Sequence, residues 1–287
     1  MNRKGIILAG GSGSRLYPST VSISKQLVPV YDKPMIYYPL STLMEANIKD
    51  ILIISTPDHT PLFRSLLGDG SQFGITLSYE VQEKPEGLAQ ALIIGEDFLN
   101  SHPCCLILGD NIFLGADLDK LLISANNDIE NANIFSYRVA NPSRFGVIEF
   151  DDHDNILSIE EKPKNPKSNY VITGIYFYDQ NASNIAKSIT PSSRGELEIT
   201  DLNKKYVEQG NIRLRKMSSG FTWLDTGTPE SMMEASNFIY TLEKRQGRKI
   251  SCPEEIALRK GYISKEYLQK KFEGMTSDYS IYIRSLL

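Results

Sequence analysis

The stretch Gly5–Leu16 reads GIILAGGSGSRL, a short apolar run that breaks into loose backbone and then reaches Arg15. An apolar strand followed by a glycine turn and a helix presents backbone N–H groups to an anion. Glycine reaches positive φ at little cost and lets backbone approach a ligand closely. Three patterns compete for this segment. A dinucleotide fingerprint G-x-G-x-x-G started at Gly11 ends on Leu16, so it fails. A P-loop fails too, because neither Gly10 nor Gly11 is followed by the required G-K-[ST] spacing. The third pattern, G-G-x-G-x-R-L with a lysine some way beyond the arginine, is met by GGSGSRLYPSTVSISK, with Arg15 and Lys25.

Outward from this loop the first half of the chain alternates. KGIILAG, DILIIST, ITLSYEVQ and CCLILGD predict strands, and MIYYPLSTLMEAN, TPLFRSLLGDG and GLAQALIIGEDFL predict helices between them. Pro39 requires the first helix to begin near Tyr38 or to kink there. Runs such as IILAG, ILIIS and CLILGD are apolar at consecutive positions, as expected of parallel strands covered on both faces. After about Asn133 the pattern changes to NIFSYRV, FGVIEFD, ILSIEEKP and YVITGIYFYD, strand-like runs that predict an antiparallel or mixed insertion. Helices follow around NASNIAKSI and EITDLNKKYVEQG, then the strand FTWLD. A further helix has Thr228 as N-cap, Pro229 at its first position and Gly247 as its stop. The segment from about Cys252 onward reads as helical. The expected fold is therefore three-layer α/β, a doubly wound, mixed but mostly parallel sheet with a β-rich insertion and a helical C-terminal region. The main domain is expected over 1–250, with halves at about 1–132 and 133–228, and the helical segment over 251–287.

Composition narrows the function. The 287 residues are 41% hydrophobic and carry a formal net charge of -4, which gives no support to nucleic-acid binding as the main task. No run approaches a membrane span, and a cytoplasmic location is expected. The three cysteines are an odd count with two adjacent in an apolar run, so buried inert thiols are expected rather than a disulfide framework. His59, His102 and His153 lie far apart in polar sequence. Neither zinc nor histidine catalysis is indicated.

LAGGSGSRLYPSTVSISKQLVPVYDKPMIYYPLSTLM, with QEKPEGLAQAL, LGDNIF, RFGVIEF, EEKPKNPKSNY, RGELEITDLN, WLDTGTPESMMEA and CPEEIALR after it in order, resembles the sugar-1-phosphate nucleotidyltransferases over essentially the whole chain. The resemblance is strongest to members that use dTTP and glucose 1-phosphate. It implies thymidylyl transfer giving dTDP-glucose and pyrophosphate, in service of dTDP-deoxysugar synthesis. The sugar phosphate is itself the nucleophile, since a phosphate monoester with a second pKa of about 6 is largely dianionic at neutral pH. No general base is needed; positioning and charge neutralisation carry the reaction.

The same resemblance assigns the residues. Arg15 would grip the leaving pyrophosphate, cradled by the amides of Gly11, Gly13 and Ser14, with Gly10 also at the nucleotide; a planar guanidinium can hold two phosphate oxygens at once. Lys25 would meet phosphate, Gln26 the ribose, and Gln82, Gly87 and the backbone of Leu8 the base. Asp110 and Asp225 end strand-like runs and would hold Mg²⁺, the implied cofactor, with phosphate oxygens and water completing its shell. Asn111, Phe145, Gly146, Glu161, Lys162, Ile172, Tyr176 and Arg194 would line the sugar-phosphate side. Relatives carry tyrosine where Phe145 stands. A feedback nucleotide-sugar would bind near Leu114, Gly115, Asp119, Cys252, Glu255, Ile256 and Arg259, and the assembly would be a homotetramer. Two other readings remain open at this point: uridylyl transfer to the same sugar phosphate, and a non-catalytic nucleotide-sugar sensor.

Overall fold

The computed structural model describes residues 2–11 and 13–287. In chain order the strands are β1 (Lys4–Leu8), β2 (Pro29–Val30), β3 (Lys33–Pro34), β4 (Asp50–Ser55), β5 (Thr76–Val81), β6 (Cys104–Leu108), β7 (Asn111–Gly115), β8 (Ala132–Arg138), β9 (Gly146–Phe150), β10 (Ile156–Glu161), β11 (Tyr170–Tyr178), β12 (Ile212–Lys216) and β13 (Phe221–Asp225). The helices are α1 (Tyr37–Glu45), α2 (Thr60–Leu67), α3 (Gln90–Ile94), α4 (Glu96–Leu99), α5 (Leu118–Asn127), α6 (Ala182–Ser188), α7 (Ile199–Gln209), α8 (Pro229–Gln246), α9 (Pro253–Arg259), α10 (Lys265–Lys271) and α11 (Asp278–Ser285).

The consecutive apolar runs do form parallel strands. β5, β4, β1 and β6 lie side by side in that order, with Ile7 paired to Ile53 on one side and to Ile107 on the other. Both neighbours of β1 come later in the chain, one on each side, so the winding reverses there. That reversal opens a crevice at the carboxyl ends of β1 and β6. The glycine loop leaves the end of β1, and Asp110 lies just past the end of β6.

Several local expectations need correction. The β-rich stretch joins the main sheet: β11 pairs antiparallel with β6, and β8, β9, β10 and β12 extend the same nine-stranded sheet. The run 212–216, IRLRK, is a strand parallel to β8 that alternating charged residues concealed. The helix expected over GLAQALIIGEDFL is broken into α3 and α4 at Gly95, whose absent Cβ would stand 2.9 Å from Ile6 Cδ1. No α-helix opens after the glycine loop. Ser14–Leu16 form a single 3₁₀ turn, closed by Leu16 N–H donating to the Gly13 carbonyl at 2.9 Å. α1 starts at Tyr37 and takes Pro39 in its first turn, where the missing N–H costs nothing. α8 is capped as its sequence requires, with reciprocal bonds between Thr228 and Ser231 and Gly247 in the left-handed conformation.

Two large apolar layers cover the faces of the sheet, one containing Ile7, Ile53, Leu40 and Phe177, the other Ile6, Leu52, Leu106 and Tyr178. Alternate residues of one strand serve opposite layers. The C-terminal helices close a smaller core of Cys252, Leu268, Phe272 and Ile283, and α9 packs against α1. All three cysteines are free and buried, as their setting implies.

Candidate active site

A cavity of about 410 Å³ opens at the crevice between β1 and β6. Its wall includes Leu8, Gly10, Gly11 and Arg15 from the first strand and its loop, with Lys25 and Gln26 from the 3₁₀ turn that follows. Gln82 and Gly87 come from the loop that follows β5, and Asp110 and Asn111 from the β6–β7 junction. The opposite wall carries Phe145, Gly146, Glu161, Lys162, Ile172, Tyr176, Arg194 and Asp225. Gly13 and Ser14 are the two expected positions that do not reach the wall; their turn faces Thr20, whose hydroxyl donates to the Gly13 carbonyl at 2.8 Å. A second cavity of about 700 Å³ is lined by Leu114, Gly115, Asp119, Cys252, Glu255, Ile256 and Arg259, all seven positions expected there.

The two aspartates converge through strand pairing. β13 runs antiparallel to β7 with Asp225 opposite Asn111, which sets Asp225 beside the neighbouring Asp110. Burial raises the tendency of Asp110 to protonate, but the Lys25 ammonium, which donates directly to its Oδ2, outweighs this and holds the carboxyl below its ordinary range. Asp225 goes the other way: burial and the nearby Asp110 charge push its pKa up, while Gly227 N–H donates to Oδ1 at 2.8 Å. Two half-buried carboxylates that repel each other at the cleft are suited to a hard divalent cation. Among the described residues no cluster of three or more His, Cys, Asp or Glu could hold a metal, so phosphate oxygens and water would supply the rest of its shell.

Asn111 aligns this pair. Its Oδ1 accepts from Trp223 Nε1 at 2.6 Å and from Gly174 N–H at 3.2 Å, while its Nδ2 donates to Asp110 Oδ1 at 3.0 Å. With both ends of the amide engaged, Asn111 orients Asp110. On the sugar side, Arg194 donates to Glu198 Oε1 from Nε at 3.1 Å and Nη2 at 2.7 Å. Lys162 Nζ lies 3.3 Å from Glu161 Oε1, and Lys162 has a left-handed backbone, φ +43, of the kind tolerated where surroundings enforce it. Gly87, with φ +111, lines the cavity and also packs tightly on protein: a Cβ there would meet the backbone N and O of Leu197 at 2.4 Å.

Sequence reasoning missed Arg144, Thr200 and Trp223. Arg144 Nη2 stands 3.8 Å from Asp225 Oδ2, and the Trp223 ring packs edge-on against Phe145 at 5.2 Å. Thr200 donates to Glu161 Oε2. Strand alternation could have found Trp223, which lies two residues before Asp225 and so on the same face. No comparable local signal marks Thr200. His59, His102 and His153 stay outside the cavity wall.

The family model for nucleotidyl transferases matches residues 4–241. A glucose-1-phosphate thymidylyltransferase of Xanthomonas campestris pv. campestris is 54% identical over 99% of this chain and 97% of its own length. One from Neisseria meningitidis is 53% identical over 99% of both. A solved structure of a Bacillus anthracis protein, described as a glucose-1-phosphate thymidylyltransferase and holding sucrose, superposes with a TM-score of 0.76 at 44% identity over 82% of this chain and 94% of that one. A UDP-glucose pyrophosphorylase holding UDP-glucose gives 0.73 at 25% identity, over 84% of this chain and all of that one. With a strand-end cleft that gathers two carboxylates, a glycine loop and phosphate-ready cations, this chain belongs to the nucleotidyl transferase family.

Proposed function

We propose that this chain transfers a thymidylyl group from dTTP to glucose 1-phosphate, releasing pyrophosphate and dTDP-glucose. The observation that carries the reading is the charge layout of this cleft: Lys25 and Arg15 lie by Asp110 and Asp225, and Lys162 and Arg194 gather at Glu161. Three anionic groups in a row match that layout. Arg15 holds the β- and γ-phosphates that leave, Lys25 keeps Asp110 ionised and meets the α-phosphate, and Lys162 with Arg194 holds the sugar phosphate in line. Glu161 accepts from sugar hydroxyls. No histidine lines the described wall, in keeping with a nucleophile that needs no deprotonation. When bound at Asp110 and Asp225, Mg²⁺ supplies charge neutralisation at the α-phosphate.

Pyrophosphate release with Mg²⁺ and glucose 1-phosphate tests the reading. Turnover with dTTP is expected, reduced on the order of 10²–10³-fold in Asp110→Asn and stopped by chelation. Turnover with UTP alone would replace the reading with uridylyl transfer. Tight nucleotide binding without turnover would replace it with a nucleotide-sugar sensor. The second cavity, walled partly by the 251–287 segment, is read as the site of a feedback nucleotide-sugar, to be checked by inhibition that is not competitive with dTTP. A cytoplasmic homotetramer is expected, and sedimentation velocity reports the assembly directly. No helix among the described residues is long and apolar enough to cross a membrane.

A further inference from the structure

We propose that Gln90 is a positioning residue for base selection: it fixes which end of the Gln82 side chain faces the nucleotide, and so favours a base that carries a ring N–H. The proposal rests on the reading of Gln82 as the base contact. The two ends of a glutamine amide have nearly the same shape, so their orientation must be argued from their partners.

The partners of Gln90 are unambiguous. The backbone N–H of Glu86, which can only donate, lies 3.1 Å from Gln90 Oε1. The Glu86 carboxylate, which only accepts when ionised, receives a bond from Gln90 Nε2 at 2.9 Å. Turning the Gln90 amide over would set donor against donor and acceptor against acceptor. Gln90 Oε1 is therefore an acceptor, and the Gln82 atom 2.6 Å from it must be the NH₂ group. That leaves Gln82 Oε1 pointing at Gly10, where a Cβ would stand only 2.2 Å away.

Gln82 is 3% exposed and forms part of the cavity wall beside Gly10 and Leu8; Gln90 stands one layer behind. The relay runs from the Glu86 backbone through two amides to the cavity, and it presents an oxygen there. Thymine and uracil carry a ring N3–H that donates to such an oxygen. Cytosine presents a bare N3 lone pair, which is repelled. The first glutamine supplies the contact and the second supplies its polarity. Capping of α3 alone would need only the bonds to Glu86; the bond to Gln82 ties the relay to the ligand.

Calorimetric titration of the whole chain with dTTP and with dCTP, without sugar phosphate, tests this. Gln90→Met keeps the length and removes the acceptor, so Gln82 is free to turn over. The dCTP/dTTP ratio of dissociation constants is expected to fall about tenfold, the worth of one net hydrogen bond. The exchanged pair E86Q/Q90E reverses the side-chain bond but keeps an acceptor at 90 for the backbone N–H at position 86 and for Gln82, so it restores the ratio to within about twofold of the unmodified chain. It also carries the test if the methionine variant folds poorly. Gln82→Met separates the two levels of the argument. If it weakens dTTP binding while Gln90→Met leaves the ratio unchanged, the positioning proposal is overturned and the base reading stands. If it binds dTTP as tightly as before, both are overturned.

Discussion

Replacing Glu243 by glutamine should destabilise this protein more than any surface charge change. Four charged side chains meet where the β2–β3 hairpin, the end of α8 and the segment after it come together. Glu243 receives Lys33 at 3.1 Å, Lys249 at 2.9 Å and the Ile250 N–H at 2.9 Å, while both lysines also contact Asp32. The Lys33 and Glu243 side chains are only 2% and 5% exposed. Two positive and two negative charges balance, so removing one carboxylate leaves an uncompensated ammonium out of water, at a cost of about 3–5 kcal/mol. With a urea m-value of roughly 3 kcal/mol/M for a chain of this size, the unfolding midpoint should fall by about 1–1.7 M. The double variant Lys33→Met with Glu243→Met removes one charge of each sign and should recover much of that loss. Acid should act in the same direction. Burial opposes the Asp32 charge, but Lys33 and Lys249 outweigh it and hold its carboxyl below the ordinary range. Its contribution is thus present above the unfolded pKa of about 3.9 and lost as pH falls through the lower folded value. A Glu243→Gln midpoint within about 0.2 M of the unmodified chain would refute the reasoning, because it would mean the cluster is not desolvated.

Other expectations are simpler to check. Gly227→Ala puts a Cβ 2.8 Å from Asp225 Oδ1 and 3.0 Å from Arg15 Nη2, so steady-state pyrophosphate release should fall on the order of 10²-fold with little change in melting temperature. Phe145→Tyr adds a hydroxyl to a ring already lining the sugar side. It should lower KM for glucose 1-phosphate roughly three- to tenfold and leave KM for dTTP unchanged. Burial pushes the Cys104 and Cys252 thiols up to about 12 and Cys105 well above its ordinary value. A colorimetric thiol reagent should therefore find essentially no reactive thiol in the native protein and three after unfolding, and a fast-reacting native thiol would contradict the packing.

Features that depend on short range were legible in the chain. Consecutive apolar residues marked β1, β4 and β6 as strands covered on both faces, and Thr228, Pro229 and Gly247 bounded α8, because burial pattern and capping are properties of neighbouring residues. The glycine loop with Arg15 and Lys25 was legible for the same reason, and every motif matched to the family falls on one of the two cavities apart from Gly13 and Ser14. Tertiary structure decided the rest. Periodicity reports that a face is buried but not what buries it, so the union of β11 with β6, the strand hidden in IRLRK and the break at Gly95 against Ile6 could not be read in advance. The closeness of Asp110 to Asp225 depends on the register of β13 against β7, a pairing between segments far apart in the chain. The polarity of Gln82 depends on which partners meet it through Gln90, and hydrogen-bond direction has no signature in a linear sequence.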